Sequence, residues 1–120
     1  MNYEFDPERN KKDYEDEKYL KKKYDVAIAM GMMMFLNALD AAENAYDIKS
    51  MVFFYMEHKK GNLDKYYAVS LDKKKSKWRL LLQMIDDKGN VLSPTDNEKE
   101  FLKSVKIIRI KELTDHYAHY

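Results

Sequence analysis

The chain is expected to adopt an α+β fold, with helices on one side of a mostly antiparallel sheet, and three observations predict it. Its first half carries apolar residues at helical spacing, and its second half carries short runs in which apolar and polar residues alternate. The links between those runs, such as residues 86–90, are too short for parallel crossovers. The length of 120 residues fits a single domain, residues 1–120, built around one core.

Residues 2–5 suit either a small edge strand or a frayed end. Over residues 6–24, acids and lysines alternate around Tyr14, Tyr19, Leu20 and Tyr24, which predicts a surface helix from about Lys11. Residues 26–46 predict a second helix. Met30, Met33, Met34, Asn37, Ala38 and Ala41 line one of its faces, and Ile28, Met32, Phe35, Leu39 and Ala42 line another. Both faces are apolar, so one packs on the sheet and the other needs the first helix or a partner protein; methionine suits either use. Residues 51–57 and 65–71 read as strands, with Gly61-Asn62 in a tight loop between them. Residues 78–85 form a third, central strand and residues 105–112 the last one. Between these two lies a long acidic loop, 86–98, which opens with a turn.

Charge and composition exclude several function classes. The longest apolar run, 26–36, is well short of the roughly 20 residues that span a bilayer as a helix. Residues 1–25 lack the apolar stretch of a secretory signal, so a cytoplasmic location without membrane contact is expected. With no cysteine, disulfides, thiolate nucleophiles and cysteine-containing metal sites are all ruled out. The net charge of +1 is unevenly placed: residues 57–79 hold eight Lys or Arg against three acids, and residues 80–98 one Lys against four. Three glycines are too few to build a phosphate cradle from backbone alone.

Three clusters carry chemistry. In Glu57-His58-Lys59-Lys60-Gly61, His58 can exchange protons while Lys59 and Lys60 hold phosphate oxygens; a charged hairpin tip has the same composition. In the stretch from Lys73 to Arg79, Lys73, Lys74, Lys75 and Lys77 suit an RNA backbone and Trp78 can stack on an unpaired base. The structural alternative is a solvated lysine turn with Trp78 packed beneath it. Arg79 lies in the strand proper, where its guanidinium fork can grip a phosphate or pair with a carboxylate such as Asp115. The third cluster, Asp115-His116-Tyr117 with His119 and Tyr120 beyond, can orient, accept and donate protons provided the last strand pins it. The histidines lack a firm ligand spacing, so neither a metal nor another cofactor is expected.

Taken together and in order, several stretches resemble the RelE/ParE superfamily of bacterial toxins, and most closely the HigB-type plasmid maintenance killer proteins. They are Tyr19-Leu20-Lys21-Lys22-Lys23-Tyr24, the helix after it, His58-Lys59-Lys60-Gly61, Tyr66-Tyr67-Ala68-Val69-Ser70-Leu71, Trp78-Arg79-Leu80 and Glu112-Leu113-Thr114-Asp115-His116-Tyr117. The resemblance implies a RelE-like fold, two N-terminal helices packed on a curved, mostly antiparallel sheet of about four to five strands. It also implies the toxin of a type II toxin–antitoxin system, an endoribonuclease (mRNA interferase) acting on mRNA at the ribosome. The implied partner is a cognate helix-turn-helix antitoxin, through which the pair binds operator DNA. Lys60 matches the family's basic-loop lysine, Arg79 its central-strand arginine, and Asp115 with His116 and Tyr117 its terminal acid and histidine–aromatic pair.

The chain departs from the pattern in three places. Glu57 stands where the family carries histidine, with His58 one place later; the terminal pair is in reversed order; and the acidic 86–98 segment resembles an insertion. In the implied reaction the RNA 2′-hydroxyl attacks the adjacent phosphorus. Lys60 or His58 assists removal of its proton, Arg79 stabilises phosphoryl charge, His116 or Tyr117 protonates the leaving oxygen, and Asp115 orients a neighbour. Two alternatives come from the same resemblance: a non-enzymatic growth inhibitor that binds DNA gyrase, and an inactive RNA- or protein-binding member of the family.

Overall fold

The computed structural model of the protein describes residues 1–116. Its N-terminal half is divided by side-chain caps. Asp16 accepts a hydrogen bond from the Tyr19 amide (3.1 Å) and Asp25 from the Ile28 amide (2.8 Å), each satisfying a donor that a helix start leaves open. The expected surface helix is therefore two short ones, α1 (Asn10–Tyr14) and α2 (Glu17–Lys23), followed by α3 (Val26–Ala41).

The helix expected over 26–46 stops at Ala41. Asn44 caps a separate helix, α4 (Ala45–Lys49), by accepting from the Asp47 amide (3.2 Å), while the Asp47 carboxylate takes the Glu43 amide (2.8 Å). The Ala45 amide donates to the Val105 carbonyl (3.1 Å), so local and tertiary bonds replace the helical ladder across the break.

Among the described residues, five strands form one sheet. They are β1 (Asn2–Phe5), β2 (Glu57–His58), β3 (Tyr67–Val69), β4 (Arg79–Ile85) and β5 (Ile107–Thr114), in the spatial order β1-β5-β4-β3-β2. The sheet is antiparallel except where β1 runs parallel to β5, pairing Asn2 with Ile107 and Phe5 with Ile110. Residues 2–5 are thus an edge strand, and β4 is central as expected.

The structure corrects one further expectation. Residues 51–57 are not one strand: Val52–Phe54 is a 3-10 turn, Tyr55 is left-handed (φ 49°), and only Glu57–His58 pairs. The turn drops Phe54 edge-to-face onto Phe35 (5.2 Å) and leaves Val52 in solvent, an arrangement that strand alternation over 51–57 would not give. The acidic 86–98 segment is a loop that opens with a turn, as expected, and ends on a helix cap. The Asp86 carboxylate accepts from the amides of Lys88 and Asn90 (both 2.9 Å), and Asn97 then caps α5 (Glu98–Ser104) through the Glu100 amide (3.2 Å). Because α5 falls between β4 and β5, the helices are not confined to the N-terminal half.

One core joins the helices to a single face of the sheet. Ile28, Met32, Phe35 and Leu39 of α3 are fully buried, as are Val69, Leu80, Leu82, Ile108 and Ile110 from the strands. By alternation, Arg79, Leu81 and Gln83 lie on the opposite face. The buried Tyr14 hydroxyl accepts the Leu113 amide (2.9 Å), tying α1 to the end of β5. Among the described residues, no helix is long and apolar enough to cross a membrane.

Candidate functional site

Strand parity selects which charged side chains meet. Glu57 pairs with Ala68 and Ala68 with Leu81, so Glu57 shares the face that carries Leu81 and, two residues earlier in β4, Arg79. Arg79 in turn pairs with Thr114, which brings the end of β5 alongside. At this end of the sheet, Glu57, Lys59, Lys77, Arg79 and Asp115 line an open hollow of about 340 Å³.

Three cations and two carboxylates face this space. Lys59 Nζ lies 3.4 Å from Glu57 Oε1 at the partly exposed rim. Arg79 is anchored by backbone: its Nη1 donates to the Ser76 carbonyl (2.7 Å) and the Trp78 carbonyl (2.8 Å). Both of these bonds go to neutral carbonyls, so the guanidinium retains its full positive charge beside Glu57 and Asp115. Asp115 is pinned from both sides, because the Thr114 hydroxyl donates to the His116 carbonyl (3.1 Å) and accepts the His116 amide (3.0 Å).

The remaining sequence candidates lie elsewhere. His58 points opposite to Glu57; its ring stacks on Tyr67 (5.1 Å) and its Nε2 donates to the Asp64 carbonyl (2.5 Å). Lys60 precedes the 3-10 turn Gly61–Leu63 and does not line the hollow. His116 adjoins Asp115 without lining the hollow, and Tyr117, like His119 and Tyr120, lies outside the described residues.

The lysine run is split. Lys77 reaches the hollow, Lys73 and Lys75 line a different groove beside α3, and Lys74 Nζ sits over the Tyr55 ring (4.9 Å). Trp78 is half-buried, edge-to-face with Tyr24 (4.8 Å), which is the packed arrangement of the structural alternative. Among the described residues, no group of three or more His, Cys, Asp or Glu is placed to hold a metal ion.

Glu57, a departure from the family pattern to which the sequence assigns no role, lines the hollow. Its signal was period-two alternation: Glu57 and Lys59 share a side from which His58 and Lys60 point away. No protein-family model, curated protein or solved structure matches the chain.

Proposed function

We propose that this chain is a RelE-like toxin of a type II toxin–antitoxin pair, an endoribonuclease that cleaves mRNA on the ribosome. The observation that carries the proposal is the meeting of Arg79, Lys59 and Lys77 with Glu57 and Asp115 around one open hollow at the end of the sheet. The sequence resemblance to HigB-type toxins supports it independently.

In this reaction Arg79 and Lys77 hold the non-bridging oxygens of the scissile phosphate, where negative charge builds as the phosphorus becomes five-coordinate. Glu57, beside Lys59, accepts the 2′-hydroxyl proton while the 2′-oxygen forms its bond to phosphorus and the bond to the 5′-oxygen breaks. The leaving oxygen takes a proton from Lys59, which lines the hollow, giving a 2′,3′-cyclic phosphate and a 5′-hydroxyl.

Purified protein added to translating ribosomes, with mRNA 5′ ends mapped by primer extension, tests this. New 5′-hydroxyl ends are expected, reduced about 100-fold by Arg79→Ala, the usual size of loss when one transition-state donor is removed. Intact mRNA, or unchanged cleavage by a folded Arg79→Ala protein, would refute the assignment; intact mRNA with trapped gyrase–DNA complexes would replace it with gyrase poisoning.

A further inference from the structure

Lys73 and Lys75 do not face the hollow. They rim a groove of about 160 Å³ whose floor includes Met30 and Met34 of α3 and Leu71. Val26, Met30 and Met34 are 55%, 55% and 50% exposed, and their spacing of four residues makes a stripe about 12 Å long on α3. The core-facing side chains of the same helix, Ile28, Met32 and Phe35, are fully buried. Met33 and Ala38 pack against the core, so the large apolar side chains of α3 left in solvent are the stripe Val26, Met30 and Met34.

The basic rim has a definite shape. Lys73 and Lys74 adopt left-handed backbone (φ 56° and 63°), a conformation uncommon for residues other than glycine. The buried Ser70 hydroxyl oxygen accepts the Lys74 amide (2.7 Å) and its proton goes to Asp72 (3.2 Å). Asp72 also lines the groove, but it is only 6% exposed and takes the Ser70 proton, so the charge this loop presents to solvent is positive.

We propose that the groove docks an amphipathic helix from a partner protein, its apolar face on Met30, Met34 and Leu71 and acidic flanks against Lys73 and Lys75. Methionines with an exposed, adaptable surface suit the apolar face of a helix. Charge complementarity selects acidic flanks. A second copy of this chain would bring the same lysine rim against its own, and the floor offers no aromatic ring on which an RNA base could stack. The proposal does not rest on the hollow's chemistry, since the groove belongs to the helical layer and the hollow to the sheet's other face.

The test uses the full chain and a fluorescein-labelled synthetic helix with leucines on one face and glutamates on its flanks. Saturable binding by anisotropy is expected, with NMR shifts at the Met30 and Met34 methyls. Met34→Glu, and separately Lys73→Glu with Lys75→Glu, should weaken it at least tenfold without altering mRNA cleavage by Met34→Glu. Met34→Ser serves if the glutamate variant misfolds, with a smaller loss expected. No binding would overturn the proposal, as would equal binding of a lysine-flanked or face-scrambled peptide. So would concentration-dependent self-association that shifts the same methyls, or a uridine-rich oligonucleotide that displaces the peptide from them.

Discussion

Gly31 is the residue whose replacement should disturb the fold most for the smallest chemical change. A Cβ at this position would stand 1.8 Å from the Leu71 carbonyl oxygen, 2.6 Å from its carbon and 2.8 Å from its Cβ. Two effects oppose one another in Gly31→Ala. Alanine is favoured over glycine within a helix by about 1 kcal/mol. Against that, α3 and the Leu71 backbone must separate by more than an ångström, since real Cβ atoms essentially never approach other atoms below 3.0 Å.

Overpacking of this kind costs about 1–3 kcal/mol. The shift also strains the Ser70–Lys74 hydrogen bond next to Leu71, with about 1 kcal/mol at stake. The clash wins, and a net loss of about 2 kcal/mol is expected, equivalent to a fall in Tm of roughly 8 °C for a domain of this size. Urea unfolding followed by far-UV circular dichroism measures it. A midpoint at or above that of the parent chain, with an unchanged slope, would falsify the close approach of α3 to Leu71.

Other outcomes follow from features already described. Lys59→Ala should cut ribosome-dependent cleavage by about tenfold or more, whereas Lys60→Ala should leave it within about a factor of two, because Lys59 lines the hollow and Lys60 does not; equal losses measured by primer extension would reverse that choice. Tyr14→Phe removes the acceptor of the Leu113 amide and should cost about 1–3 kcal/mol in denaturant unfolding; a neutral effect would mean the amide finds another partner. Burial raises the pKa of Tyr14, and burial followed by the nearby Glu98 carboxylate raises that of Tyr67. The neutral phenols are thus favoured in the folded chain, and their stabilisation is complete below the ordinary tyrosine value of about 10 and lost as pH rises through the raised folded values. Tyrosinate absorbance should therefore show these two phenols ionising only together with loss of the folded circular dichroism signal; full ionisation of a still-folded protein would contradict their burial.

How much of this was legible depended on the range of the interactions. The central strand was readable because Leu80, Leu82 and Met84 alternate with Arg79, Leu81 and Gln83, a signal internal to seven residues. Arg79, Lys77 and Asp115 were recognisable as site candidates from their types and places. The choice of Lys59 over Lys60 needed the parity of a strand only two residues long, set by pairing with β3 and not by its own sequence. The break in the 26–46 helix came from Asn44 and Asp47, whose side chains compete for backbone amides within an otherwise helical pattern. Asn97 with Glu100 had the spacing of a helix start, but Phe101 and Leu102 supply too few apolar positions to display a period. The parallel pairing of β1 with β5 joins opposite ends of the chain, where no local pattern can announce it.

β5 is the last of the five strands to be synthesised, yet it is inserted between β1, the first, and β4. Until it emerges, Asn2–Phe5 has no neighbour to bond and the sheet lacks its link to the N-terminus. The same late segment delivers Asp115, so before β5 is made Arg79 lacks one of the two carboxylates that share its hollow. Completion of the hollow therefore waits until β5 has joined the sheet between β1 and β4.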